Sequence, residues 1–245
     1  KAFQRLIALG SDVALAAIPA ILITGLPKKA RAESLDVITD VLNFALTLEY
    51  LESTYYSMGL SSGVIAASDL AIFQTINAHE AAHVSVLAST ISSLGGTPVA
   101  APGFDFTAGG LFAPFSDYPT FLALSQAFED TGVRAYKGQA ANLISNNDIL
   151  TAALQIHSVE ARHAAEVRKL RTAKGLDTVK PWITGNERGT LPSEAQAVYD
   201  GEQNSIQGGV DVKTITTVGT GAVQEAFDEP LTDTEVLAIA GLFLV

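Results

Sequence analysis

Apolar residues recur every three or four positions over four long stretches of the chain, the period of helices that bury one side. The first covers roughly residues 34–59, "SLDVITDVLNFALTLEYLESTYYSMG", with Ser34 placed to cap its start and Gly59 to stop it. The second covers roughly residues 69–94, entered through Ser68 and ended by the glycine pair at 95–96. The third covers roughly 118–145, with Asp117 as its N-cap and Pro119 tolerated in the first turn. The fourth covers roughly 148–174 and stops at Gly175. Short connections within the first and second pairs predict two antiparallel hairpins. Between them lies "GGTPVAAPGFDFTAGGLFAPFSDY", too long for a tight turn and suited to a crossover along the bundle. The pattern predicts an all-α fold, a four-helix bundle at residues 33–175.

Two flanks differ from the bundle. Residues 1–32 hold the apolar run "LIALGSDVALAAIPAILITGL" between basic residues, followed by "ARA". A basic start, an apolar middle and a small-x-small end fit an export signal or a membrane- or partner-associating segment. Asp12 and Pro19 weaken a spanning helix and leave a buried core helix as the other reading. Residues 176–245 are rich in Gly and Thr. Ser193 with Gln196, and Thr232 with Glu235, have capping-box spacing and predict two short helices. The closing "VLAIAGLFLV" is apolar enough to need a surface to pack on, either the bundle or a partner.

Composition narrows the chemistry. The chain has no cysteine, which excludes disulfides, thiolate metal sites and cysteine nucleophiles together. A net charge of −11 argues against nucleic acid as a partner. A metal site must therefore draw on Glu, Asp and His, donors that suit iron, manganese or zinc.

Those donors fall in a pattern. The four helices carry, in order, Glu49; Glu80 and His83; Glu129; Glu160 and His163. Glu49 to Glu80 and Glu129 to Glu160 are both 31 positions, so the hairpins are quasi-repeats. Residues three apart share a helix face, so each Glu-x-x-His points two groups inward at one level. Apolar neighbours such as Ala45, Leu46, Val133, Ile156 and Ala164 place these groups in the core register. Four buried carboxylates without counter-charge would be very costly, and two divalent cations balance them. His83 and His163 would each terminate one ion, with two of the glutamates bridging.

The segments "NFALTLEYLESTYY", "HEAAHVSVL", "AFEDTGVRAYKGQA", "HSVEARHAAEVRKL" and "EAFDEPLT" resemble the ferritin-like superfamily. They are most similar to the ferritin-like domain family that includes desiccation-related proteins. The resemblance covers about residues 34–245. It implies two ions, iron or manganese, held by Glu49, Glu80, His83, Glu129, Glu160 and His163. It implies redox chemistry with dioxygen or peroxide, ferroxidase-like or catalase-like, and a role in stress protection. The Glu–x6–Tyr spacing from Glu49 to Tyr56 is the ferritin one and favours Glu49 over Glu52 as the ligand of the first helix. Glu52 is then expected beside the ligands or in solvent. The alternative function is a non-enzymatic scaffold or accessory subunit of a membrane-associated or envelope complex. An extracytoplasmic, periplasmic setting and a homo-oligomer are further expectations, and a storage cage is disfavoured by the two flanks.

Other residues take smaller parts. Tyr56 and Tyr136, beside a redox centre, are candidates to donate hydrogen bonds or electrons. Asp130 is expected to bond a metal-bound histidine from outside. His79, rotated about 100° from Glu80, reads as a helix-packing residue. His157, one turn before Glu160, is a candidate to line the cavity.

Overall fold

Residue 59 shows how closely the helices meet. The first helix, α1 (Lys28–Ser62), does not stop at Gly59; it runs through it and turns at Gly63, where φ is 76°. A Cβ on residue 59 would come within 2.3 Å of the Phe121 ring, so this glycine serves helix contact and not termination. Ser34 likewise lies inside α1 and not at its N-cap. The computed structural model describes residues 28–245 as backbone, with side chains from residue 35. The segment expected to associate with a membrane or partner, residues 1–32, therefore lies outside the described residues except for the first backbone positions of α1.

The second helix, α2 (Leu70–Ser93), starts after Asp69, whose side chain makes no cap bond. That carboxylate is engaged by Tyr118 Oη at 2.7 Å and Lys174 Nζ at 2.6 Å, which tie the ends of three helices together. The third helix, α3 (Tyr118–Gln139), is capped by Asp117, which accepts from the Thr120 amide at 2.9 Å. It gives way to a 3-10 turn, Ala140–Leu143, short of the expected residue 145. The fourth, α4 (Asn147–Ala173), is capped by Asn146. α1 packs on α2 and α3 packs on α4 as two hairpins, joined by the long crossover between α2 and α3.

α3 is buried on every side from Phe121 to Tyr136. Three helices cannot enclose a fourth, and the residues after α4 complete the cover. They include a 3-10 turn Ser193–Val198, a two-residue hairpin of β1 (Ile206–Gln207) and β2 (Val210–Asp211), and the short helices α5 (Thr220–Gln224) and α6 (Asp233–Ala240). Thr232 and Glu235 form the predicted capping box of α6, whereas Ser193 is the first residue of its 3-10 turn, whose N-cap is Pro192. Arg134, 1% exposed, is held by the carbonyls of Val198, Asp200 and Glu229 and by Glu202 at 2.8 Å. The Leu231 amide donates to the Arg134 carbonyl, and a Cβ at Gly138 would collide with the Leu231 carbonyl. The final residues pair with the crossover, Phe104 bridging Leu244, and place Phe243 against Phe128 at 5.0 Å. Among the described residues no helix is long and apolar enough to cross a membrane.

Candidate metal centre

The middle of the bundle is polar. Glu49, Glu80, Glu129 and Glu160 are fully buried, and His83 and His163 nearly so. Each comes from the core side of its helix, with buried Leu46, Ile76, Leu87, Val133, Ile156 and Val167 one turn away on the same faces. The six side chains form two overlapping groups, Glu49, Glu80, His83 and Glu160 on one side and Glu80, Glu129, Glu160 and His163 on the other. Within each group the donor atoms lie within 4.8 Å of one another. Glu80 and Glu160 belong to both.

Glu80 spans the groups with its two oxygens: Oε2 is 3.0 Å from His83 Nδ1 and Oε1 is 2.8 Å from His163 Nδ1. His83 Nδ1 also lies 3.1 Å from Glu49 Oε2 and 3.2 Å from Glu160 Oε1. His163 Nδ1 lies 3.3 Å from Glu129 Oε2. The tyrosines hold the outer carboxylates. Tyr136 donates to Glu49 Oε1 at 2.5 Å, and Tyr56 donates to Glu129 Oε1, so in each case the other oxygen faces the cluster.

Several of these contacts are close without being hydrogen bonds. Glu80 Oε1, Glu129 Oε2, both oxygens of Glu160 and His163 Nδ1 are buried with no hydrogen-bond partner. Buried polar atoms are rarely left so. Here five of them belong to four residues of one cluster, the pattern expected where cations complete the coordination. The donor set, carboxylates with one imidazole nitrogen on each side, fits hard or borderline divalent ions.

The protonation pattern shows how strongly the cluster calls for positive charge. Burial pushes Glu49 up to about 7. Burial, then the neighbouring carboxylates, pushes Glu52 and Glu160 well above the usual range, and burial raises Glu129. Burial also works against charge on Glu80 and the histidines, but their mutual contacts prevail. Glu80 is held at about 2 by His163 and His83. His83 rises to about 12 beside Glu160, Glu49 and Glu80, and His163 to about 11 beside Glu129 and Glu80. Protons and imidazolium rings thus supply the positive charge that bound cations otherwise would.

Glu52 adds a fifth buried glutamate beside the four of the cluster, 3% exposed and not in solvent. It stands outside both donor groups, beside Gly132. A Cβ there would lie 3.1 Å from Glu160 Oε2 and 3.3 Å from Glu52 Oε1. Its outer side meets a small cavity closed by Ile239 and Ala240 of α6.

Three sequence readings change. Asp130 does not reach a histidine of the cluster: it pairs with Arg168 through bonds of 3.0 and 2.5 Å and accepts from Tyr199 at 2.7 Å. One residue after Glu129 is a rotation of about 100°, which turns it toward the C-terminal cover. His157 is tied to the Val133 carbonyl at 2.9 Å, joining α4 to α3. His79 does more than pack, since its Nδ1 is 2.9 Å from Nε2 of His163, with the rings stacked at 5.2 Å and 13°. It fixes the ring that presents Nδ1 to the cluster. The missed signal is the spacing His79 to His83, four residues and so one helix face.

The antiparallel hairpins, the crossover and the buried Glu/His cluster together define a bundle protein of ferritin-like architecture. A family model described as a ferritin-like domain matches residues 38–173, and the chain belongs to that family. No curated protein matches the chain.

Proposed function

We propose that this is a di-metal carboxylate protein that performs redox chemistry on dioxygen or peroxide, with iron or manganese as the ions. The observation that carries the reading is the pair of overlapping donor groups that share Glu80 and Glu160, with five of their residues' buried polar atoms lacking a hydrogen-bond partner. Glu49, Glu80, His83 and Glu160 would hold one ion, and Glu80, Glu129, Glu160 and His163 the second. Iron or manganese supplies, when bound, a couple able to exchange two electrons with an oxygen substrate. The chain's own groups prepare the place. Tyr136 and Tyr56 orient Glu49 and Glu129, His79 orients His163, and burial of the four glutamates keeps bulk water from them. Protons on Glu49, His83 and His163 are the ones metal loading must displace. The extracytoplasmic or membrane-associated setting is part of the proposal and rests on the sequence of residues 1–32 alone.

Elemental analysis of natively purified protein, followed by ferrous-oxidation and peroxide assays, tests the reading. Two ions per chain and turnover in one assay are expected. A protein free of metal after growth in iron- and manganese-replete medium refutes it.

A further inference from the structure

Next to the cluster, along the bundle axis, lies a cavity of about 30 Å³. Its lining includes Ala45, Leu87 and Ile156, each one helical turn from Glu49, His83 and Glu160 respectively. Tyr136 stands between cavity and centre, its ring in the lining and its hydroxyl on Glu49. The other walls are apolar apart from Thr90 and Gln139. Thr90 donates to the Val86 carbonyl at 2.7 Å, and Gln139 Oε1 accepts from Asn142 at 2.8 Å. The Thr90 hydroxyl and the Gln139 carbonyl oxygen are thus engaged elsewhere.

We infer that this cavity is a binding site for a small apolar gas and that dioxygen, not peroxide, reaches the centre through it. The inference rests on the di-metal reading for its identification of the gas. Size comes first. A water needs about 10–15 Å³ of such space, while a benzene-sized ligand occupies a cavity of about 150 Å³. About 30 Å³ therefore suits a diatomic molecule and excludes an acyl chain or an aromatic substrate. Polarity comes second. Water or hydrogen peroxide entering here would give up hydrogen bonds without replacement, which is unfavourable, and small apolar cavities of this kind stay dry. Dioxygen has no hydrogen bonds to lose. Position comes third: the cavity abuts the centre on the Glu49 and Tyr136 side, and its wall thins to the half-buried side chains of Phe44 and Val86.

Crystals of the full chain pressurised with xenon test the site without reference to metal. A xenon peak among Leu87, Ala153 and Ile156 is expected, absent in Ala153→Leu and stronger in Leu143→Ala, which enlarges the cavity. In metal-loaded protein, Ala153→Leu is expected to raise KM for dioxygen several-fold with kcat at saturating oxygen and metal content retained. No xenon in the wild-type cavity overturns the inference. So does an unchanged KM for dioxygen in a folded variant that has lost the xenon. If Ala153→Leu fails to fold, the wild-type and Leu143→Ala peaks still decide. Xenon bound, with no oxygen consumption by the loaded wild-type protein, overturns the redox reading instead and leaves the gas site standing.

Discussion

The two hairpins repeat one scheme with unequal surroundings. In each, a Glu is followed seven residues later by a Tyr and 31 residues later by Glu-x-x-His. The tyrosines cross over: Tyr56 of the first hairpin bonds Glu129 of the second, and Tyr136 of the second bonds Glu49 of the first. The repeat breaks around the ligands. Three residues after the first Glu, the first hairpin has Glu52 and the second has Gly132. One residue before Glu-x-x-His, the first has His79 and the second Val159. The extra carboxylate fits only because its counterpart has no side chain. Likewise, only His163 gains an imidazole partner. Two positions equal in ligand type are therefore unequal in charge and support, and the proposed ions should bind unequally.

The largest effect should come from removing what the hairpins share. Glu80→Ala with Glu160→Ala takes a donor from both groups at once. Loss of both ions and of all redox turnover is expected, with helical content by circular dichroism retained. The metal-free variant should keep its fold at a lower Tm than wild type, because Glu80 is the charged partner of both His83 and His163 and its loss leaves those buried rings less compensated. Wild-type turnover in the double variant would reject the enzyme reading in favour of a scaffold.

A second test uses pH on the cluster as a whole. In the metal-free protein Glu49 holds its proton to about 7, above its ordinary 4.5. Its contribution to stability is full below 4.5 and is lost as pH rises through 7. His83 and His163 stay charged to about 12 and 11; their contributions are full below 6.5 and are lost toward those values. Glu80, held at about 2, acts oppositely, but only below its ordinary 4.5. Metal-free Tm should therefore fall as pH rises from 4.5 through 7. Metal-loaded Tm should rise across that window, because ions bind the deprotonated donors. Calorimetry showing one slope for both forms would separate metal binding from this cluster.

A third, smaller test closes the gap that admits Glu52. In Gly132→Ala the new methyl meets Glu160 and Glu52 at 3.1 and 3.3 Å, so one of them must shift. Overpacking of this kind costs about 1–3 kcal/mol, against about 1 kcal/mol gained in helix propensity. A net loss of about 1 kcal/mol is expected in denaturant unfolding, shrinking when Glu52→Ala is combined with it. Additive costs would show that the two positions do not share the space.

The inward-facing scheme was legible because it is periodic. Spacing of three and four residues locates the core faces, and the 31-residue repeat pairs Glu49, Glu80 and His83 with Glu129, Glu160 and His163. What escaped depends on contacts between distant segments. Asp130 reads as a partner for a ligand histidine, and Arg134 carries no reading, until the cover from residues 176–245 surrounds α3 and engages both. Gly59 looks like a stop until Phe121 is set against it. His79 looks like a packing residue until the other hairpin brings His163 to it. Periodicity reports which way a side chain points from its own helix, and says nothing of what arrives from elsewhere.

His79 offers the finest test of the asymmetry. His79→Phe keeps a ring stacked on His163, since the two rings lie 5.2 Å apart and 13° from parallel, but it removes the nitrogen 2.9 Å from Nε2. Loss of such a supporting partner typically weakens a metal site about tenfold or more. Only the ion on the His163 side should feel it, because His83 draws its contacts from Glu49, Glu80 and Glu160. A stepwise metal titration of the variant should show one binding step displaced by about tenfold and the other unmoved. His79→Gln, whose amide can still bond Nε2, should recover much of the loss. Equal weakening of both steps would mean that the variant disturbs the bundle as a whole. No change in either would mean that His163 is held well enough by Glu80 and Glu129, and that its pairing with His79 does not distinguish the hairpins.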